Sequence, residues 1–226
     1  MARKRFLVIG LGSLGQAVAQ ELAEDGAEVI AVDRTQALVD DIKERVEVAI
    51  RGDATDSKML DQIGVDKVDA AIVCIGERFE ASVLITANLK DMKVKKIMAR
   101  ANTKIVEQIL TRVGADEVFN VEGAMGKVIA QKLTTPSVVD QMDLGGGYRI
   151  CNWAAPSSIV GKTLAELTLP RKFGVNVITI RKKGSYEKIN SPRADTVIGE
   201  EDQLLVSGYE SDLEKLFSAW KTQKDE

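Results

Sequence analysis

The residues best placed to do chemistry in this chain are three glycines at fixed spacing, Gly10-Leu11-Gly12-Ser13-Leu14-Gly15. They follow the apolar run Phe6–Ile9 and open a segment where Leu14, Val18, Ala19 and Leu22 recur at helical spacing before Gly26. A second run, Glu28–Val32, leads into Asp33, 18 residues after Gly15. Strand, glycine turn, helix, strand and acid in this order form a dinucleotide-binding arrangement. Gly10 allows the tight turn, Gly12 lets the backbone approach a pyrophosphate, and Gly15 lets helix and strand pack closely. Unpaired N–H groups at the helix start then face the phosphates, with the helix dipole in support. Asp33 is placed to accept from both hydroxyls of an adenosine ribose. A carboxylate disfavours a 2′-phosphate there, an effect that neighbouring Arg34 softens.

Further polar and glycine residues stand where other strands should end. Gly52-Asp53-Ala54-Thr55 follows the run Val46–Ile50, where a loop would border an adenine. Asp53 has two readings of equal weight: acceptor from the adenine amino group, or N-cap of the next helix shared with Thr55 or Asp56. Ile75-Gly76-Glu77 closes the run Asp69–Ile75, and Gly76 permits close ligand approach. Arg100 ends the run Lys96–Arg100 and either reaches a phosphate or is a plain surface arginine. Glu122 sits near the start of a helix capped by Asn120, where an acid is stabilising for dipole reasons alone. Gly161-Lys162-Thr163 looks like the end of a phosphate-binding loop, but Pro156 stands where that loop needs a glycine, so it is set aside.

These residues need a scaffold, and the patterning supplies one. Six short apolar runs, the last being Glu117–Asn120, alternate with amphipathic segments such as Ile105, Val106, Ile109, Leu110 and Val113 before Gly114. Several runs lack polar alternation, as strands buried on both faces do. The expected fold class is α/β: a doubly wound parallel (Rossmann) sheet with a smaller C-terminal α+β domain. Thr134-Thr135-Pro136-Ser137 breaks the pattern, a short helix is expected to follow, and Gly145-Gly146-Gly147 marks flexibility. This places a linker across 134–147 and domains at 1–134 and 145–226. The second domain should hold strands Tyr148–Trp153, Val175–Arg181, Tyr186–Ile189 and Gln203–Val206. A short helical Thr163–Leu167, a turn at Lys183-Gly184-Ser185 and a C-terminal helix Ser211–Trp220 complete it. About 80 residues are marginal for independent stability, so reliance on a partner subunit is expected.

Composition removes several function classes. The 226 residues include no histidine, which excludes Ser-His-Asp and Cys-His systems, a histidine base and a histidine-containing zinc site. With 31 Lys+Arg against 34 Asp+Glu, the net charge of −3 argues against a general nucleic-acid surface. Two cysteines, Cys74 and Cys151, are too few for a disulfide framework. No run approaches the ~18 apolar residues of a membrane span, so a cytoplasmic location is expected. A dinucleotide-dependent oxidoreductase remains the competing class, although there is no Tyr-x-x-x-Lys pair: neither Tyr148 nor Tyr186 has a lysine four residues on. A dinucleotide-sensing DNA-binding regulator would need a basic helix, and none is evident.

The ordered series Gly10-x-Gly12-x-x-Gly15, Asp33, Gly52-Asp53-Ala54-Thr55, Ile75-Gly76, Arg100-Ala101-Asn102, Gly114-Ala115-Asp116 and Glu122-Gly123-Ala124-Met125-Gly126 resembles the regulator-of-potassium-conductance (RCK) family. In particular it is similar to the cytosolic gating subunits of Ktr/Trk-type potassium transporters. Gly161-Lys162-Thr163-Leu164-Ala165-Glu166-Leu167 and Gly208 resemble that family's TrkA-C domain. The resemblance implies a non-enzyme: dimers assembling into a ring, expected to be an octamer, bound at the inner face of the membrane to a potassium-translocating subunit. A nucleotide, ATP/ADP or NAD/NADH, would switch the ring's shape. It implies phosphate contacts for Gly10, Gly12, Gly15 and Arg100 and a ribose contact for Asp33. Glu122 would help hold Mg²⁺ or Ca²⁺ at the nucleotides across the dimer. ATP-type members often carry an arginine inside the glycine motif; Ser13 stands there instead, which leaves ATP against NAD open. Cyclic di-AMP binds the C-terminal domain of some relatives, and Pro170-Arg171-Lys172-Phe173 departs from the pattern expected for it.

Overall fold

The computed structural model describes residues 3–134, 138–182 and 191–220. The chain divides into two compact units, Met1–Met125 and Gly126–Glu226. In the first, strands β1 (Arg5–Ile9), β2 (Glu28–Asp33), β3 (Val48–Arg51), β4 (Ala70–Val73), β5 (Ile97–Arg100) and β6 (Glu117–Phe119) alternate with helices. The helices are α1 (Ser13–Glu24), α2 (Gln36–Ile42), α3 (Ser57–Ile63), α4 (Phe79–Asp91), α5 (Lys104–Val113) and α6 (Val121–Thr134). All strand pairs are parallel and the order is β3-β2-β1-β4-β5-β6. This is the doubly wound sheet that the alternation predicts, and its strand order reverses between β1 and β4.

The period of two along each strand sorts the core into two faces. Leu7, Ile9, Ile30, Val32, Ala71, Val73, Ile97 and Ala99 pack with Leu60, Ile85, Leu89 and Leu110 from α3, α4 and α5. The intervening Val8, Val29, Ala31 and Ile72 pack with Ala19 of α1 and Val39 and Ile42 of α2. Coverage on both faces explains why every residue of β4 is buried. On α5 the expected apolar stripe is narrower than the sequence implies. Leu110 is buried and Val106 packs against the core, but Ile105 is 70% exposed.

In the second unit β7 (Val138–Asp143), β8 (Tyr148–Ala154), β9 (Asn176–Arg181) and β10 (Gln203–Tyr209) form an antiparallel sheet in the order β7-β8-β10-β9. Helices α7 (Leu164–Leu167), α8 (Leu169–Phe173) and α9 (Glu210–Ala219) accompany it. Trp153 is fully buried at the centre, with Phe217 and Trp220 each 5.9 Å away between ring centroids. Leu213 and Leu216 bring α9 onto the same core.

The stretch read as linker and short helix is a correction. Val138–Asp143 is a strand paired with β8. The three glycines lie in the loop between β7 and β8, where Leu144 N–H donates to Tyr148 O at 2.9 Å and Tyr148 N–H to Gly145 O at 3.1 Å. Gly145, Gly146 and Gly147 all have positive φ, a conformation that side chains resist, so turn geometry calls for glycine at each. Gly161-Lys162-Thr163 is likewise structural. Gly161 N–H donates to Ile198 O, Ile198 N–H to Lys162 O, and Thr163 forms a capping box with Glu166. The strand expected at Tyr186–Ile189 and the turn at Lys183-Gly184-Ser185 lie outside the described residues.

Candidate functional site: the cleft at the strand C-termini

The site starts from the glycine turn. Gly10 has φ +90°, and a Cβ there would stand 2.9 Å from Ile75 Cγ1, so geometry and space both require glycine. Gly15 is buried under the turn, where a Cβ would fall 1.8 Å from the carbonyl oxygen of Gly10. Gly12 differs from both. Its φ of −64° suits any residue and a Cβ would meet nothing within 4 Å. Gly12 is the N-cap of α1 and no side chain caps that helix. The orphan N–H groups of the first turn therefore open beside Gly12, with the positive end of the helix dipole behind them.

Asp33, at the end of β2, is anchored at both oxygens. Leu11 N–H donates to Oδ2 at 2.7 Å and Thr35 N–H donates to Oδ1 at 2.7 Å. The acid thus ties the glycine turn to the end of the neighbouring strand while it faces the cleft. Asp53 is not the cap of α3. Asp56 is the cap of α3, accepting from Lys58 N–H, whereas Asp53 Oδ1 accepts from the Thr55 hydroxyl at 2.8 Å and the Thr55 N–H at 3.1 Å. The Thr55 hydroxyl, then its N–H, hold the Asp53 carboxyl below its usual pKa.

The cleft these residues line has a volume of about 730 Å³, within the range of small-molecule sites. It runs along the C-terminal edge of the sheet, past the reversal point, from Asp33, Arg34 and Asp53 to Ile75, Gly76, Glu77, Arg100 and Glu122. Of the residues singled out from sequence, Gly10, Gly12, Asp33, Arg34, Asp53, Ala54, Ile75, Gly76, Glu77, Arg100 and Glu122 line it. Leu11 and Leu14 do not: their side chains belong to the core on the α1 face, so they serve the site only through backbone. Ser13 is exposed outside the lining, and Gly15 lies beneath it. Thr55 and Asn102, from the quoted motifs, line it too, and Thr35, Leu38 and Arg78 also line the cleft and were not anticipated. Each follows a strand end within a few residues, which is the signal that would have found them.

Arg100 and Glu122 are brought together. Arg100 Nη2 donates to Glu122 Oε1, and Asn120 Oδ1 accepts from Gly123 N–H at 2.7 Å at the start of α6. The guanidinium lies over Gly76, where a Cβ would stand 2.7 Å from Nη1. Arg100 Nε is buried and has no partner among the described residues. Glu122 is held below the usual carboxylate pKa by its own backbone N–H first and by Arg100 second. Beneath them burial pushes the Cys74 thiol up to about 12, with Arg100 pulling slightly the other way, so it is no thiolate nucleophile. Among the described residues no group of three or more acidic, cysteine or histidine side chains could hold a metal ion. Glu122 offers one carboxylate where hard cations take six or more oxygens, so this chain's residues alone do not make a cation site. The uncapped helix start, the open space at Gly12 and the unpartnered Arg100 Nε do fit an anion with several oxygens, such as a nucleotide's phosphates.

One stretch of the sequence series works far from the cleft. Gly114-Ala115-Asp116 lies at the opposite end of the sheet, where Asp116 accepts from Ile97 N–H at 2.7 Å and pairs with Lys90. Its role is to fix the start of β5.

Comparison with known proteins agrees with this architecture. The TrkA-N domain family matches residues 6–121 and the TrkA-C domain family matches residues 154–219. The Ktr system potassium uptake protein C of Bacillus subtilis is 36% identical over 213 residues, 94% of this chain and 96% of that protein. Among solved structures, the GsuK channel superposes with a TM-score of 0.70 at 18% identity, covering all of this chain and 41% of that one. GsuK bound to ADP superposes over 58% of this chain and 34% of that one, with a TM-score of 0.51 at 26% identity. This chain thus spans less than half of the GsuK channel chain, but nearly the full length of the Bacillus protein. The TrkA-N match covers the whole cleft-bearing sheet and the TrkA-C match the small domain, so the chain belongs to the TrkA-N/TrkA-C family of Ktr-type potassium uptake proteins.

Proposed function

We propose that this chain is a nucleotide-sensing regulatory subunit of a Ktr-type potassium transport system and not an enzyme. The observation that carries the reading is the cleft itself: an anion-ready turn, an anchored Asp33 and, on the same sheet edge, an Arg100 whose Nε has no partner among the described residues. The relatives' potassium-uptake role supplies the process. The ligand class is an adenine nucleotide, ATP/ADP or NAD/NADH, and the ADP bound by GsuK supports the adenosine end. With Ser13 uncharged, discrimination among phosphates falls to Arg100, the backbone N–H groups, and Mg²⁺ or Ca²⁺ held between Glu122 and the phosphates across a dimer. Gating follows if the nucleotides bind one conformation of the assembly better than another, and differential affinity limits the shift.

Assembly into dimers and a ring, up to an octamer, is part of the same proposal. Exposed Met125, Val128, Ile129 and Leu133 recur at helical spacing along α6, an apolar stripe that a second copy would cover. Among the described residues no helix is long and apolar enough to cross a membrane, which is compatible with attachment to the inner membrane face through a potassium-translocating partner. Cyclic di-AMP at the C-terminal unit completes the set of ligands to be tested.

The test is a thermal-shift panel of ATP, ADP, NAD, NADH and cyclic di-AMP, each with and without Mg²⁺ or Ca²⁺. A ligand at ~100 times its Kd stabilises by about 2.7 kcal/mol, roughly 10 °C for a unit of this size. A panel in which no adenine nucleotide moves the melting temperature refutes the reading. Steady oxidation of NADH by small carbonyl compounds would establish the oxidoreductase instead.

A further inference from the structure

We propose that Glu122 is the cleft's resident anion: it occupies Arg100 in the free protein, and a nucleotide phosphate must displace it. This inference rests on the nucleotide-site reading above and assigns Glu122 a role before any cation arrives. Arg100 rises from the end of β5 and lies flat over Gly76, whose missing side chain makes the room. One edge of its guanidinium is taken by Glu122 through Nη2. The Nε–H is buried without a partner among the described residues. A buried unpaired donor is costly, and a single carboxylate oxygen does not relieve it. A phosphate presents three oxygens and more charge, and so can satisfy two donors of the fork at once.

The two partners are unequally held. The Arg100 side chain is 22% exposed and Glu122 is 55% exposed, so the carboxylate is the member free to leave. Exposed ion pairs contribute little to stability, which keeps the displacement possible. After leaving, Glu122 remains in the first turn of α6, where its own backbone N–H and the helix dipole still favour its charge. α6 begins in the first unit and continues past the boundary at 125/126 into the second. Occupancy of the cleft would thus free the Glu122 side chain from the end of β5.

Titration calorimetry with ATP and with ADP, in a chelator so that no divalent cation is present, tests this on the full chain. The variants are Glu122→Gln, Arg100→Gln and the double variant, with melting temperatures confirming that each is folded. We expect Glu122→Gln to bind about two- to five-fold tighter than wild type, the range set by an exposed pair. Arg100→Gln should bind more weakly, and the double variant should match Arg100→Gln. Glu122→Gln binding with unchanged or weaker affinity in chelator overturns the proposal. So does a tightening that persists in the Arg100→Gln background, because it would then reflect general charge and not competition. Wild-type protein that binds no nucleotide refutes the site reading itself, whereas wild-type binding with an unmoved Glu122→Gln refutes only this inference.

Discussion

Gly12→Ala should separate folding from binding, and the two effects can be sized. In the free protein the new Cβ meets nothing within 4 Å and the φ of −64° is comfortable for alanine. Alanine is a poorer N-cap than glycine by several tenths of a kcal/mol. Its narrower unfolded ensemble returns about 0.4–1 kcal/mol. The two nearly cancel, leaving a net change within about 0.5 kcal/mol, or ~3 °C in melting temperature. With ligand, the methyl occupies the space over the α1 N-terminus that a phosphate needs. Losing two hydrogen bonds to a charged group costs about 3–6 kcal/mol, a loss of affinity of at least ~100-fold. The assay is a melt of the free variant beside calorimetry with ATP and ADP. Gly15→Ala is the contrasting control, because its Cβ would fall 1.8 Å from Gly10 O and the turn must open. There a stability loss of roughly 3 kcal/mol or more is expected even without ligand. Wild-type affinity in Gly12→Ala would show that no phosphate passes over the α1 N-terminus and would refute the reasoning.

The remaining predictions concern the rest of the molecule. Burial lifts Cys74 to about 12 and Cys151 to about 11, so both thiols should react slowly with a disulfide reagent at pH 8 and rapidly once denaturant is added; two fast thiols in the native state would contradict their burial. Asp202, 2% exposed, accepts from Gly199 N–H at 2.7 Å and Lys182 Nζ at 2.6 Å, so Asp202→Ala should cost about 2–3 kcal/mol, discounted because Lys182 is half exposed. Both tryptophans, Trp153 and Trp220, sit in that unit, so tryptophan fluorescence during urea unfolding measures the loss there. The Asp53, Asp69, Glu28, Glu122 and Glu166 carboxyls are all held below their usual pKa. Their stabilisation is therefore complete above the ordinary carboxylate range, about pH 5, and is lost progressively as pH falls below roughly 4 through their lowered values. With no histidine in the chain, melting temperature should be nearly flat from pH 6 to 8, and a steep change in that window would refute this account.

The parallel sheet was legible because its signal is local. Unbroken apolar runs, glycine-ended amphipathic helices and the spacing from Gly15 to Asp33 each need only neighbouring residues to be interpreted. The strand Val138–Asp143 was hidden because Pro136 before it and three glycines after it look like a linker, and its polar residues lie at an exposed sheet edge. What identifies it is pairing with β8, a tertiary fact. Ile105 illustrates the opposite failure: an apolar residue at helical spacing that faces outward, on a helix whose buried stripe is only as wide as the sheet beneath it. The Arg100–Glu122 contact joins positions 22 apart that meet only because β5 and β6 are adjacent. The resemblance assigned both to the nucleotide's phosphates, but nothing in the sequence pointed to a direct pair between them.

The double anchoring of Asp33 has a consequence for what the cleft can distinguish. Its rotamer is fixed when the turn folds, so no side-chain entropy remains to be lost when a sugar arrives. A freely rotating acid could follow a ligand and tolerate a shortened one; a fixed acid cannot. The cleft should therefore act as a rigid gauge of the sugar, separating ribonucleotides from their deoxy counterparts more sharply than one carboxylate would ordinarily allow. Because one of those N–H groups, that of Leu11, belongs to the glycine turn, that discrimination cannot drift without the turn registering the change.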